Sequence, residues 1–412
     1  MNKIWIKNFG PIKEGRIDIK KLTVFIGNQG SGKSTVAKLI STFMWIEKAL
    51  IRGDYKQEWF EKKNRLKNQY LTYHRIESYL SPDTKIRYMG KAYEIQYTEK
   101  GVEIRKILTL SDSATVPYLL PQIMYVPAER NFIAYVKKPK ELRLSSDSLK
   151  EFLTEFDNAK DNMKGMVRLP INNIDVEYDK LNDTLNLKGE NYKLKLMDAS
   201  SGFQSLVPLF LVSRFLSNSI KQSSNDSSMS AEETERFRKG IADIWMNSTL
   251  SDEQRRSALS VLSSKFNKTA FINIVEEPEQ NLFPTSQWQM LQSLLEFNNS
   301  TDANKLIITT HSPYLINFLN IAIQGKYLKN KIIEKSVNTE NLLSKLTKIV
   351  SENALIASND VIVYQLDETD GSMKELNTFE GVLSDKNYLN NKLREGNQLF
   401  DALLEIEEEL CA

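Results

Sequence analysis

Residues 22–34 read LTVFIGNQGSGKS, and this stretch decides the fold. The apolar run at residues 22–26 is typical of a buried strand, and apolar residues recur every three or four positions after Lys33, which is typical of a helix. The glycine-rich turn between them fits the pattern G-x-x-x-x-G-K-[ST], in which backbone N–H groups and a helix N-terminus bind phosphate groups. The alternative is an ordinary strand–turn–helix link, which the flanking segments disfavour.

The ligands predicted for this turn are ATP and Mg²⁺. Lys33 would neutralise the β and γ phosphates, and the hydroxyl of Ser34 would be a ligand for the metal. The residues expected to contact the nucleotide are Asn28, Gln29, Gly30, Ser31, Gly32, Lys33, Ser34 and Thr35.

A second apolar run ends in two adjacent carboxylates. Residues 271–275 predict a short buried strand, and the sequence continues EEPEQNLFP from Glu276. Neighbouring acids repel each other, so a cation should lie close to them, and Lys33 with Mg²⁺ would supply it. We expect Glu276 to hold the metal or its water shell, and Glu277 to orient and deprotonate a water that faces the γ-phosphate. The alternative is a pair of solvated acids at a strand end.

A third apolar run, LIITTHSP at residues 306–313, ends in one of the two histidines of the chain. His311 is placed to hydrogen-bond a γ-phosphate or the attacking water, although a lone histidine more often has a structural role. The predicted catalytic residues are therefore Lys33, Glu277 and His311.

The segment ASSGFQS, residues 199–205, precedes a long apolar helix. Small polar residues at a helix N-terminus can meet an anion, or they can simply cap the helix. A second phosphate-binding helix end would be redundant within one subunit. We therefore expect Ser201, Gly202 and Gln204 to face a nucleotide that is bound to another subunit.

Taken in order, these motifs resemble an ABC-type ATPase head of the SMC/RecF kind. EEPEQNLFP and TTHSP are similar to the OLD-like branch of these ATPases, and the resemblance spans about residues 1–320. It implies two heads that sandwich two ATP molecules, with Ser201 and Gly202 of each head completing the site of the other. ATP binding would close this dimer and hydrolysis would open it.

Two positions depart from the family pattern. Phe203 stands where the signature motif has its second glycine. The family's glutamine loop reads PAER at residues 127–130, so Glu129 or Arg130 would contact the metal or a phosphate instead; we assign the metal to Glu129.

The predicted fold class is α/β, an ABC/SMC-type ATPase head with a mixed sheet, an antiparallel β-subdomain and helical insertions. The head is assigned to residues 1–320, and residues 321–412 are assigned to a C-terminal α/β extension that could dock a partner. Within the head, we expect helical insertions at about 45–82 and 217–268, a β-rich segment at 85–120 and an exposed loop at 221–234. Within the C-terminal extension, we expect a surface hairpin at 360–371 (DVIVYQLDETDG). We also expect an amphipathic acidic helix that contains FDALLEIEEEL and packs on its own domain.

Composition excludes several classes of protein. The 412 residues carry a net charge of +2 and a single cysteine, Cys411, so intrachain disulfides and multi-cysteine metal sites are excluded. Neither a membrane-length apolar run nor a signal peptide is visible, so we expect a cytoplasmic protein without membrane contact. Two histidines and isolated acids give no support to an HNH or TOPRIM nuclease within the chain.

The expected function is a nucleotide-gated ATPase switch that dimerises through its ATP sites. The resemblance extends to ATPase subunits of bacterial anti-phage systems of the Septu and PARIS types, which implies a separately encoded effector such as a nuclease or toxin. The alternative is a RecF-like ATPase that binds DNA in repair or maintenance. Basic segments at 56–75, 135–143 and 326–335 could contact nucleic acid, although solvated charge is the default interpretation.

Overall fold

The computed structural model describes residues 2–107, 120–136, 146–225, 231–251, 254–255, 258–259, 269–335, 338–379 and 381–411. The strands are β1 (Asn2–Phe9), β2 (Ile12–Ile19), β3 (Leu22–Gly27), β4 (Leu80–Met89), β5 (Tyr93–Thr98), β6 (Gly101–Lys106), β7 (Pro121–Val126), β8 (Val167–Arg168), β9 (Asp175–Asp179), β10 (Thr184–Lys188), β11 (Lys193–Lys195), β12 (Ala270–Glu276), β13 (Lys305–Thr310), β14 (Val361–Leu366), β15 (Met373–Glu375), β16 (Thr378–Phe379) and β17 (Val382–Leu383). The α-helices are α1 (Lys33–Arg52), α2 (Gln57–Phe60), α3 (Asn131–Tyr135), α4 (Asp147–Asp161), α5 (Ser201–Asn225), α6 (Ala231–Met246), α7 (Pro284–Asn299), α8 (Pro313–Lys335), α9 (Thr339–Thr347) and α10 (Tyr388–Cys411).

The central sheet contains strands from distant parts of the chain, in the order β15-β14-β3-β13-β12-β7. β14, β3, β13, β12 and β7 run parallel, and β15 is antiparallel to β14. Their residues are almost all buried, as expected for parallel strands with helices on both faces. Because the strands are parallel, their carboxyl ends share one edge of the sheet, where Gly27, Glu276, Thr310 and Leu366 lie.

β14 corrects two predictions about the C-terminal part of the chain. Val361–Leu366 pairs in parallel with β3, from Val361 opposite Leu22 to Leu366 opposite Gly27. The segment 360–371 is therefore not a surface hairpin: its strand is in the sheet beside the phosphate loop, and only the turn into β15 is hairpin-like. The proposed boundary at residue 320 also cuts through α8 and separates two strands of the central sheet, β14 and β15, from the other four. The sequence predicted a surface position because acids follow this strand. It gave no sign of the pairing, because the partner strand β3 lies more than 330 residues away in sequence.

A second, antiparallel sheet has the order β2-β1-β4-β5-β6. It agrees with the β-rich segment predicted at 85–120, except that residues 108–119 lie outside the described residues. The sheet packs on α1, where the buried carboxylate of Glu47 accepts hydrogen bonds from the Tyr88 hydroxyl at 2.8 Å and from Ala92 N at 2.8 Å. A buried charge is tolerated here because it has these donors.

Helical segments lie within the first of the two predicted insertions. After α1 and α2 the chain forms a π-helical turn at Leu66–Leu71 and a 3₁₀ turn at Glu77–Tyr79, within the insertion expected at 45–82. The second insertion was expected to begin near 217, but residue 217 lies inside α5. The loop expected at 221–234 is wrong at both ends, because α5 continues to Asn225 and α6 begins at Ala231; residues 226–230 lie outside the described residues.

The two large helices α5 and α7 pack on one face of the central sheet, while α1 covers the other. At the C-terminus, every residue of α10 from 391 to 409 is exposed, so the expectation that this helix packs on its own domain is wrong. None of the helices in the described part of the chain combines the length and the apolar character that a membrane span needs.

Candidate active site

The phosphate loop, residues 27–34, depends on three glycines with positive φ. Gly27 has φ of 147°, and a Cβ there would lie 2.3 Å from the Leu366 carbonyl oxygen of β14. Gly30 has φ of 79° with no atom within 4 Å of its missing Cβ, and Gly32 has φ of 98°. Larger side chains would disfavour this backbone, so the glycines are what lets the loop curl before α1. Asn28, Gln29 and Gly30 are exposed at its mouth.

The ammonium group of Lys33 is folded onto its own loop. It donates to Gly27 O at 3.0 Å and to Asn28 O at 2.7 Å, and its side chain is buried. Burial lowers the pKa of Lys33 to about 8, although the carboxylates of Glu277, Glu279 and Glu368 act in the opposite direction. A phosphate group beside Lys33 would favour its charged form.

Glu276, at the end of β12, is 3% exposed. Its Oε2 accepts a hydrogen bond from Ala128 N at 3.1 Å, whereas its Oε1 is buried without a hydrogen-bond partner. A buried carboxylate oxygen without a donor at this sheet edge is suited to a cation. The charge of Glu276 also acts on the neighbouring Tyr125 hydroxyl, and burial together with this charge raises the pKa of Tyr125. Glu276 and the Ser34 hydroxyl are thus suitable residues to hold Mg²⁺.

Magnesium usually takes one or two protein ligands and completes its shell with waters and substrate phosphates. In keeping with this, the described residues contain no group of three or more His, Cys, Asp or Glu side chains arranged to hold a metal. Glu129 is exposed, and its charge contributes to the raised pKa of the buried Tyr125. It therefore lies in the same neighbourhood, and its predicted role at the metal stays a prediction.

The structure brings Glu277 and His311 together. His311 Nε2 lies 3.4 Å from Glu277 Oε1, and each side chain is about one-third exposed, at 37% and 33%. The hydrogen bond from His311 lowers the pKa of Glu277, and the positive charges of Arg130 and Lys33 add to this effect. Glu277 is therefore an ionised carboxylate that is open to solvent. Its φ of 44° is unusual for a non-glycine residue.

Arg130 has a role that differs from the predicted contact with metal or phosphate. It is fully buried, and it donates to the carbonyl oxygens of Glu276 at 2.7 Å, Glu277 at 2.6 Å and Ser205 at 3.0 Å. Burial lowers the pKa of Arg130 to about 10, so it remains a cation at neutral pH. Because its donors are occupied by backbone carbonyls, Arg130 fixes the acid pair relative to the start of α5.

Glu279 was missed by sequence reasoning. Its Oε1 accepts from the Thr310 hydroxyl at 2.8 Å and from His311 N at 2.7 Å, while its Oε2 is buried without a partner. Burial raises the pKa of Glu279. The residue joins the ends of β12 and β13 and so positions His311 beside Glu277. The signal in the sequence is the Pro-Glu that follows the acid pair, which breaks the strand and returns a carboxylate to the sheet edge.

Glu368 is a second missed residue. Its Oε1 accepts from Asn28 Nδ2 at 2.7 Å and from the Tyr388 hydroxyl at 3.1 Å, and the hydrogen bond from Asn28 lowers the pKa of Glu368. The carboxylate thus connects the phosphate loop to the first residue of α10. The acids after residues 361–366 were visible in the sequence, but the neighbouring position of this strand and β3 was not.

The start of α5 lies against the loop that follows the acid pair. A Cβ on Gly202 would come within 2.7 Å of the Asn281 carbonyl oxygen, which explains the glycine, and the Ser205 hydroxyl contacts Gln280 and Asn281. Ser201 is exposed and can be reached by another molecule. Gln204 instead donates to Met197 O and Ala199 O, both at 3.0 Å. Its amide therefore caps the preceding turn here, contrary to the expected contact with nucleotide.

Comparison with known proteins assigns the chain to a family. A family model described as an AAA ATPase domain matches residues 1–141 and 246–316, which together form just over half of the chain. The chain belongs to this family. The matched residues of this AAA ATPase domain include the phosphate loop, the acid pair and His311, and they confirm the predicted α/β fold with a phosphate loop.

Solved structures with similar architecture have low sequence identity. The SMC head domain from Thermotoga maritima aligns with 92% of this chain and 98% of its own length, at 10% identity and a TM-score of 0.38. RecF, a recombination mediator protein, aligns with 91% of this chain and 97% of its own length, at 10% identity and a TM-score of 0.31. A dimeric bacterial ABC transporter cassette aligns with 91% and 100%, at 11% identity and a TM-score of 0.25. No curated protein matches the chain.

Proposed function

We propose that this chain binds ATP at the phosphate loop and hydrolyses it to ADP and phosphate. The observation that supports this most is the convergence of Lys33, Glu277 and His311 on one sheet edge, although they are separated by up to 278 residues. Lys33 is the cation for the phosphates, Glu277 is the base, and His311 holds the base by a hydrogen bond. These are the positioning and charge-stabilising parts that phosphoryl transfer requires.

In the proposed reaction, Glu277 accepts a proton from a water as the water oxygen forms a bond to the γ-phosphorus. The bond between that phosphorus and the β–γ bridging oxygen breaks, and ADP and inorganic phosphate leave. The proton on Glu277 returns to solvent, which its partial exposure allows. Mg²⁺, when bound near Ser34 and Glu276, would neutralise charge on the phosphate oxygens.

We also propose that two copies close across two nucleotides. Ser201 is exposed at the N-terminus of α5, and Arg130 and Ser205 fix that helix end to the acid-pair loop. A second copy that placed its Ser201 and Gly202 against the γ-phosphate would thus be in contact with the loop that carries the base. Binding in the closed dimer and release after hydrolysis would give a two-state switch, because the ligand interacts differently with the two states.

The switch is proposed to control a separately encoded effector, such as a nuclease or toxin, in bacterial anti-phage defence. The support is the resemblance of EEPEQNLFP and TTHSP to the OLD-like branch, together with two histidines in the whole chain and the absence of a three-ligand metal group among the described residues. Co-purification of a neighbouring gene product with this chain, dependent on nucleotide, would test this step.

The alternative is direct DNA binding, as expected for an ATPase of the RecF kind. Its support is the basic segment 56–75, in which Lys62, Lys63 and Lys67 are exposed. DNA binding that requires ATP and weakens steeply with salt would favour this alternative. Its absence in the isolated protein would favour control of an effector.

The Glu277→Gln variant tests the proposed chemistry. We expect it to bind ATP with nearly unchanged affinity, to hydrolyse it at least 100-fold more slowly, and to accumulate as a nucleotide-bound dimer. Glu296→Gln, a half-buried acid on α7, is the matched control and should hydrolyse ATP at the unmodified rate. Hydrolysis by Glu277→Gln at the unmodified rate would show that another group is the base.

A further inference from the structure

Helix α10 is the least covered part of the described structure. It runs from Tyr388 to Cys411, and its contacts with the rest of the molecule lie near its N-terminus: buried Leu389, the Tyr388–Glu368 hydrogen bond and the exposed Arg394–Asp385 ion pair. Beyond Arg394 the helix extends roughly 25 Å into solvent, at about 1.5 Å per residue. An isolated helix in water is marginally stable, since most helices in proteins are stabilised by packing of an apolar face. Something else should therefore cover this one.

The exposed helix has an apolar stripe that includes one charged residue near each end, Lys392 and Glu407. The large apolar side chains are between 42% and 71% exposed: Leu393, Leu399, Phe400, Leu403, Leu404 and Ile406. Spacings of three, four and seven residues place them on one side of the helix, within an arc of roughly 160° at 100° per residue. Asp401, Glu405, Glu408 and Glu409 lie outside this arc, whereas Lys392 and Glu407 lie within it. The stripe has the width and the length of a helix–helix contact.

The charges along α10 are divided between its two ends. The first part carries Lys392 and Arg394, whose present partners, Glu395 and Asp385, are exposed side chains that can exchange. The last part carries acids at 401, 405, 407, 408 and 409. Two such helices side by side in parallel would place acids against acids, whereas an antiparallel pair would place the basic end of each against the acidic end of the other.

The apolar stripe is self-complementary in the same orientation. When two antiparallel copies are centred between Leu399 and Phe400, these two residues face each other across the pair. In that alignment, Leu393 lies opposite Ile406, and the small Gly396 lies opposite the large Leu403. Gly396 thus leaves space for the Leu403 side chain of the other helix, which lets the two helices approach closely. One charged pair follows, with Lys392 opposite Glu407, whereas Arg394 and Glu405 lie on the far side of each helix.

We propose that α10 of one copy pairs antiparallel with α10 of a second copy, forming an interface that is separate from the nucleotide-binding face. The pairing needs no nucleotide, so the proposal does not depend on ATP hydrolysis. Because Glu368 joins Tyr388 to Asn28, the pair begins next to the phosphate loop of each copy. One copy could then pair with a second copy through α10. The exposed Ser201 at the start of α5 could contact that same copy or a third one.

The mass of the nucleotide-free full chain, measured by light scattering across a dilution series, tests the proposal. We expect a dimer whose dissociation constant rises at least tenfold in Phe400→Glu with Leu403→Glu. Gln398→Glu, which adds one negative charge on the opposite side of α10, should leave the dimer unchanged. Lys392→Glu should also weaken the dimer at least tenfold, and adding Glu407→Lys should restore it.

The orientation is measured with a spin label on Cys411, the single cysteine of the chain. In an antiparallel pair the two labels should be about 35 Å apart, whereas in a parallel pair they should be about 10 Å apart. A short label distance would overturn the proposal. So would a monomer at tens of micromolar, a dimer that is insensitive to the Phe400 and Leu403 substitutions, or capture of a different protein by α10 while the chain itself stays monomeric.

Discussion

The carboxyl edge of the central sheet and helix α10 use charged and apolar residues in opposite ways. At the sheet edge, the charged groups of Lys33, Glu276 and Arg130 are buried, and hydrogen bonds hold them in fixed positions. Along α10, the charges are solvated and the apolar side chains are exposed. Burying a charge costs free energy unless it has partners, and exposing an apolar stripe costs free energy unless another surface covers it.

The difference indicates which kind of partner each region lacks. The sheet edge is almost complete within one chain, and its buried atoms without a hydrogen-bond partner include Glu276 Oε1 and Glu279 Oε2, which a small cation would satisfy. Helix α10 is incomplete over its whole length, so its partner must be as long as the helix itself. The following predictions test this contrast, beginning with the largest expected effect.

Removing the buried cation of the sheet edge should abolish nucleotide binding. Lys33→Ala deletes the ammonium group that neutralises the phosphates, so we expect ATP affinity to fall more than 100-fold, measured by calorimetry. Lys38→Ala on the same helix is the control and should bind ATP normally. Binding by Lys33→Ala within tenfold of the unmodified chain would contradict the assignment of the phosphate site.

Arg130 should be the most important residue for stability at this edge. Arg130→Met leaves the carbonyl oxygens of Glu276, Glu277 and Ser205 without their donors, so the free energy of unfolding should fall by about 3 kcal/mol or more. Arg168→Met, whose side chain is 61% exposed, should change it by less than about 0.5 kcal/mol. Both are measured by urea unfolding. A loss below about 1 kcal/mol for Arg130→Met would show that the network is not stabilising.

The lowered pKa of Lys33 predicts a pH dependence of binding. Phosphate binding needs the ammonium form, which the free protein loses as pH rises through about 8. ATP affinity should therefore be highest below pH 8 and fall about tenfold between pH 7 and pH 9. In Lys33→Arg the cation stays charged over this range, so any residual binding should lack this fall. A flat profile in the unmodified chain would mean that Lys33 is not the titrating group.

Glu368 lies between the two regions, and its substitution should have the smallest effect. The carboxylate is exposed, and it adds negative charge near the phosphate site. Glu368→Gln should therefore tighten ATP binding about threefold at low salt and less at high salt, because exposed charges are screened. Glu375→Gln on β15 is the control. Weaker binding in Glu368→Gln would show instead that Glu368 holds Asn28 in the position that nucleotide needs.

The residues of the candidate site could be predicted where strand and motif are continuous in sequence. The phosphate loop, Glu276–Glu277 and His311 each follow an apolar run directly, and parallel strands bring such ends together. Their positions at one sheet edge are therefore as expected. Their chemical roles stay predictions until the variants are measured.

Other features depend on contacts that no local pattern contains. The position of β14 beside β3 is set by pairing across more than 330 residues, so Glu368 was assigned to a surface hairpin. In the sequence, Arg130 looked like a candidate ligand and Glu279 looked like an ordinary acid. Only their burial and hydrogen bonds define their structural roles. The amphipathic pattern of α10 was visible, but the sequence could not show that its own domain leaves the helix uncovered.

The central claim is that the ATP site is completed by a second copy, and mixing two inactive variants tests it most directly. Lys33→Ala loses its own phosphate loop, and Ser201→Arg should bind ATP but fail to complete the site of its partner. Each variant alone should hydrolyse ATP at least 100-fold more slowly than the unmodified chain. In a mixed dimer, the intact phosphate loop of one variant meets the intact Ser201 of the other, so an equal mixture should recover up to about a quarter of the unmodified rate. A mixture that stays as inactive as its components, or a Ser201→Arg variant that hydrolyses ATP normally, would contradict the shared site.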